Sequence, residues 1–154
     1  YATTKISMKG LTVQEIVFDG EVLKMSGMQG DQEFREGAEF EAMKNDIGLC
    51  PEMNYIKNGY KLSVEGIDTV DGVDAYVLKV DNGKQIKSEY YDVKSGLKIR
   101  SVVTAQTPMG EIQTISDFGD YREVDGVMFS FLQKQSAMGQ AMTTTVSEIV
   151  TNYE

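Results

Sequence analysis

Asp68, Asp71 and Asp74 stand three residues apart, a carboxylate spacing that invites a calcium ion. An EF-hand loop needs alternating oxygen ligands, a glycine at its sixth position and a glutamate at its twelfth. That pattern is missing around Asp68, so the three read as turn acids facing water. Asp117 and Asp120, in Ser116-Asp117-Phe118-Gly119-Asp120, read the same way. Paired carboxylates can do acid–base work, but among 24 acids spacing singles out no pair. A serine with a lysine base is formally available, with no motif to support it. Cys50 is the single cysteine, which excludes an intramolecular disulfide. Between Leu49 and Pro51 it reads as a small buried hydrophobe. The chain has no His, which removes Ser-His-Asp and Cys-His nucleophilic sites and the usual zinc ligand sets. The expectation is a binding or accessory domain with no catalytic residue, no metal and no cofactor.

The elements that would position any site follow from the whole chain. Its 154 residues match one ordinary domain, expected over 1–154. Hydrophobic residues make up 41% and charged residues 25%, a globular balance. The formal net charge of −9 opposes binding to phosphate backbones and anionic membrane surfaces, so no nucleic-acid partner is expected. No apolar run approaches the roughly 18 residues of a membrane-spanning helix. Tyr1 to Gly10 show no charged head followed by an apolar stretch, so no signal peptide is expected within these residues.

From Tyr60 onward the chain reads as successive hairpins. Turn signals recur at Asp71-Gly72, Asn82-Gly83, Ser95-Gly96, Met109-Gly110, Asp125-Gly126 and Met138-Gly139. Between them lie segments rich in Val, Ile, Tyr, Phe and Thr, which suit a pleated, half-buried surface. Asn-Gly and Asp-Gly are strong hairpin signals because both residues tolerate positive φ. Thr3 to Met8, Leu11 to Phe18 and Glu21 to Met28 read as three further strands, with Asp19-Gly20 as a tight turn. Gln32 to Arg35 reads as a short fourth. One segment breaks the twofold period: Phe40, Met43 and Ile47 have helical spacing, so a helix is expected over about 37–48. Gly48 and Pro51 would end it. The expected fold is mainly β (α+β): a strongly curled antiparallel sheet or half-barrel of meandering hairpins, with the one short helix packed on it.

Alternation nominates one face of that sheet as an apolar groove. Leu62 and Val64 share a strand, as do Tyr76 and Leu78, and Ile99 and Val103. Phe129 and Phe131, then Met142 and Val146, complete the set. Nine methionines are spread over the chain. Met fills irregular core gaps, which is the simpler account, and it also suits surfaces that accept varied apolar partners. A face lined this way would hold a lipid acyl chain or an apolar peptide.

Some segments also carry a family resemblance. Cys50-Pro51-Glu52-Met53-Asn54-Tyr55, Gly59-Tyr60-Lys61-Leu62, Gly66-Ile67 and Val70-Asp71-Gly72 with Ala75-Tyr76-Val77 resemble a domain that follows the peptidase units of some bacterial insulinase-type (M16) zinc proteases. Glu89-Tyr90-Tyr91-Asp92, Ser95-Gly96-Leu97-Lys98, Asp120-Tyr121-Arg122-Glu123 and Val124-Asp125-Gly126-Val127 fit the same pattern. The last two are also similar to lipoprotein carriers of the LolA and LolB type. That resemblance implies an unclosed barrel with an apolar cavity for acyl chains, and a periplasmic or cell-envelope setting. The protease resemblance implies a docking role beside peptidase units carried elsewhere, since the zinc site of those enzymes needs histidines this chain lacks.

Overall fold

The computed structural model describes residues 2–8, 11–19, 21–27, 30–37, 40, 51–83, 85–107, 110–146 and 148–149. The chain divides into two compact units, Tyr1–Tyr55 and Ile56–Glu154. The first holds a four-stranded antiparallel meander of β1 (Ala2–Met8), β2 (Leu11–Phe18), β3 (Leu23–Gly27) and β4 (Gln32–Phe34). Asp19 Oδ1 accepts the backbone N–H groups of Glu21 at 2.9 Å and Val22 at 2.7 Å. That side-chain turn takes up Glu21 and Val22, which is why β3 starts later than the expected Glu21. The same two bonds, led by Val22, hold the Asp19 carboxyl below its ordinary value. Val22, Leu23, Phe40 and Tyr55 are buried, and the rings of Phe18 and Phe40 meet edge-on at 6.3 Å.

The second unit is a seven-stranded antiparallel meander. It comprises β5 (Lys61–Val70), β6 (Val73–Asp81), β7 (Ile86–Asp92), β8 (Lys98–Thr107), β9 (Gly110–Val124), β10 (Val127–Ala137) and β11 (Gln140–Thr145). Two-residue turns join neighbours at Asp71-Gly72, Asp125-Gly126 and Met138-Gly139, where Val70 faces Val73, Val124 faces Val127 and Ala137 faces Gln140. Both central residues of each turn have positive φ: 50° and 85°, 50° and 82°, 51° and 77°. This is the turn geometry whose twist matches that of the flanking strands, and Asp-Gly adopts it readily. Met138 adopts it against its own preference.

Two expectations about the sheet, and one about Asp117 and Asp120, need correction. Among the described residues the strands form two sheets, of four and seven strands, and not one. The seven-stranded sheet runs in linear order from edge strand β11 to edge strand β5, neither closed nor strongly curled. Seven strands lie within the range that an open twisted sheet accommodates, whereas all the strands in one sheet would have had to curl. The helix expected over 37–48 lies outside the described residues apart from Gly37 and Phe40, of which Phe40 is helical. What the structure adds is a four-residue 3-10 turn, Pro51–Asn54. Proline suits a first helical position, so the residue read as a stop begins the turn. Asp117 and Asp120 also fall inside the 15-residue strand β9 and not in a turn.

Candidate functional site

Residues paired directly across an antiparallel ladder project to the same side, and alternate residues along a strand to opposite sides. Register therefore decides which candidates share a face. Val64 pairs with Leu78, Leu78 with Glu89, Glu89 with Ser101, Ser101 with Ser116, Ser116 with Gln135 and Gln135 with Met142. One row thus crosses the whole sheet on what we call the Leu78 face. A second row beside it runs Leu62, Val80, Lys87, Val103, Thr114, Ala137, Gln140. Flanking the first row on its other side, still on the Leu78 face, Ile67 pairs with Tyr76, Tyr76 with Tyr91 and Tyr91 with Lys98.

The remaining candidates fall on the same face. Phe129 and Phe131 alternate along β10 with Gln133 and Gln135. The Val146 N–H donates to the Phe131 carbonyl at 2.9 Å, which continues the β10–β11 register and sets Val146 opposite Phe131. Ile99 alternates with Ser101 and Val103. It is the extra residue where the β7–β8 register shifts, because Tyr90 pairs with Arg100 and Tyr91 with Lys98. Register thus sets the residues nominated for the groove, Leu62, Val64, Tyr76, Leu78, Ile99, Val103, Phe129, Phe131, Met142 and Val146, on one face, spread from edge strand β5 to edge strand β11.

Burial along this face is uneven. Phe129, Phe131 and Val80 are buried, and Leu78, Ile99, Val103 and Val146 are half-buried. Near the β5 edge the apolar side chains lie open: Val64 is 71% exposed, Ile67 60% and Tyr76 47%. Met142, on the opposite edge strand, is 52% exposed. Ile67 escaped the sequence reading because Glu65 is an extra residue in β5, so the alternation begun by Leu62 and Val64 slips by one. Gly66, with φ of 125°, was the available signal, since a lone glycine inside a strand marks a bulge.

The sequence reading also missed the middle of the row. Glu89, Ser101 and Ser116 are the buried polar side chains among the described residues, and they are cross-strand neighbours on β7, β8 and β9. Glu89 is 1% exposed. Its Oε1 meets the Lys87 ammonium at 3.1 Å and the Lys98 ammonium at 3.6 Å, and its Oε2 accepts the Tyr91 hydroxyl at 2.9 Å. The Lys98 ammonium also stands 4.9 Å from the centroid of the Phe118 ring, a cation–π contact. Alternation of Lys87, Glu89 and Tyr91 along one strand could have shown that these groups share a face, but not that the face is buried there. Arg122 lies over the Phe131 ring at 4.5 Å and donates to Asp120 at 3.0 and 2.6 Å. That contact is the leading reason the Asp120 carboxyl sits below its ordinary value.

The opposite face is tied by charge. Arg100 Nε donates to Asp117 at 2.5 Å and its Nη2 to Asp71 at 3.0 Å, linking β8 to β9 and to the β5–β6 turn. Asp68 accepts the Thr69 N–H at 2.7 Å, and Asp74 accepts the Thr69 hydroxyl at 3.3 Å. The acids with calcium-like spacing are thus bonded to protein groups. No group of acids, histidines or cysteines able to hold a metal occurs among the described residues. A hollow of about 240 Å³ lined by Lys24, Met25, Ser26, Asp31, Gln32 and Glu33 lies in the first unit and shares no residue with the Leu78 face. No helix among the described residues is long and apolar enough to cross a membrane.

No protein-family model matches the sequence, and no curated protein sequence matches it. Among solved structures, a LolA superfamily protein from Nitrosomonas europaea matches with a TM-score of 0.56 at 13% identity. The match covers 90% of this chain and 65% of that protein, so the chain spans about two thirds of its length. The fold is therefore LolA-like: mainly β, antiparallel, with almost no helix among the described residues.

Proposed function

We propose that this chain is a non-catalytic binding domain that holds a lipid acyl chain on the Leu78 face of its seven-stranded sheet, in a periplasmic or cell-envelope setting. The observation that carries this reading is register. Every apolar residue nominated from the sequence falls on one face, and the part of that face nearest β5 is open to water. Burying one Val, Leu or Ile side chain is worth about 1.5–3 kcal/mol. Exposed Val64, Ile67 and Tyr76 forgo that gain, and a hydrocarbon chain laid along them would restore it. The LolA-like fold supports the same reading.

Native mass spectrometry of the freshly purified protein, followed by organic extraction, tests it. The expected result is a stoichiometric adduct that extracts as a fatty acid or phospholipid. A clean unliganded mass, together with no saturable binding of an added fatty acid, would overturn the proposal.

A second reading is docking, by the same open edge, onto the peptidase units of a larger insulinase-type zinc protease. Its support is the sequence resemblance together with β5, an edge strand exposed from Lys61 through Thr69. Such an edge can pair with a strand of a partner. The Glu65 bulge interrupts the edge, which weakens this reading relative to the first. Co-purification with the peptidase units and a change in their activity would support it. Failure on both counts would remove it.

A further inference from the structure

Polar groups concentrate where an apolar binding face has least reason to hold them. The buried polar side chains of the described residues form one unbroken run across β7, β8 and β9: Glu89, Ser101 and Ser116. A buried ion pair seldom stabilises a fold more than well-packed apolar side chains would, so its retention asks for another reason. Here two ammoniums converge on one carboxylate, Lys87 at 3.1 Å and Lys98 at 3.6 Å. Two cationic side chains thus meet one anionic one here, within a chain whose total charge is −9. The lysine side chains are 19% and 16% exposed, so both reach the surface of the face while Glu89 does not.

The run has a direction. From Glu89 the row passes to Leu78 and then to Val64, two strand spacings or roughly 10 Å away. Its polar centre gives way to open apolar surface at the β5 edge. This is the profile of an amphiphile: a charged head at one end and a hydrocarbon tail at the other.

We infer that the Leu78 face takes a single-chain amphiphile with an anionic head, seated at Lys87 and Lys98 with its tail running over Leu78 and Val64 toward the β5 edge. This rests on the acyl-chain reading above and adds the head group and the orientation. A carboxylate and a phosphate share this chemistry, and the sign of the charge is what the site selects.

Isothermal titration of the intact chain tests it with four probes of equal tail length, each kept below its micelle concentration: dodecanoate, dodecyl phosphate, dodecanol and dodecyltrimethylammonium. The expected result is that both anions bind at least tenfold more tightly than the cation, with dodecanol between them, and that added salt narrows the gap. Tighter binding of dodecyl phosphate would identify a phospholipid-type head, and of dodecanoate a fatty-acid head. In the variants Lys87→Met and Lys98→Met the ratio of anion to dodecanol affinity should fall at least tenfold. Lys87→Arg and Lys98→Arg should preserve it. Equal affinity of the wild type for anions and cation would overturn the head-group assignment and leave the acyl-chain reading standing. Failure of all four probes to bind would remove both. Because the wild-type comparison needs no substitution, poor folding of a variant cannot obscure the answer.

Discussion

At the centre of the Leu78 face, β7, β8 and β9 bury Glu89, Ser101 and Ser116; next to them on the same face, the last two strands, β6 and β5, expose Tyr76, Val64 and Ile67. A sheet optimised for stability alone would arrange these the other way round. Solvated polar groups lose nothing at an edge, and buried apolar ones contribute most at a centre. The inversion places the cost of burying charge and the cost of exposing hydrocarbon in one row. Departures from local consistency of this kind concentrate where a protein binds something.

Substitutions at the two ends of the row should separate their roles. At the buried end, Glu89→Leu leaves the Lys87 and Lys98 ammoniums without the carboxylate they share. Removing one member of a buried pair costs about 3–5 kcal/mol, and the partial exposure of both lysines sets the expectation at the lower end of that range. Urea unfolding measures it; an unchanged midpoint would mean that the carboxylate is not what holds the polar centre. At the open end, Val64→Asp and Ile67→Asp should leave stability within about 0.5 kcal/mol, as exposed positions usually do. Each should weaken dodecanoate binding at least tenfold, about 1.4 kcal/mol. Equal losses of stability at the two ends would erase the comparison.

Two smaller effects serve as controls away from the row. Met138→Asn relieves a side chain held at a φ of 51° in a turn that favours Asn, and should stabilise by about 1 kcal/mol. Thermal unfolding checks it, and amphiphile affinity should not follow. The acid limb of stability should belong to exposed carboxylates. Asp19, Asp92 and Asp120 all titrate below the ordinary value of 3.8 in the folded chain. Asp19 is lowered mainly by the Val22 N–H, Asp92 by the Ser95 hydroxyl and Asp120 by Arg122. Their contribution is complete above pH 3.8 and is lost as the pH falls through the lowered values. A stability profile that declines already between pH 6 and 5 would point to a different group.

Much of the sheet was legible in the sequence because turn chemistry is local. Asp71-Gly72 and Asp125-Gly126 announced their positive φ, and period-two alternation then set Leu62, Val64, Tyr76 and Leu78 on one face. Other features depend on long-range pairing. Nothing local states that the strands part into two sheets, or that β9 runs unbroken for 15 residues through Asp117 and Asp120. Ile67 was lost to a one-residue bulge at Glu65. Glu89 was passed over because a glutamate that alternates with Lys87 and Tyr91 carries no local sign of burial. Its burial depends on where β7 lies in the sheet order, which composition does not encode.

The most direct test of the account is methyl NMR of the chain labelled at Ile, Leu and Val, titrated with dodecanoate. The account predicts saturable shifts at Leu62, Val64, Ile67 and Leu78, which line the open end of one face. Val70, Val73 and Val77, which register places on the opposite face, should stay in place. Shifts spread evenly over both faces, or confined to Val70, Val73 and Val77, would contradict it.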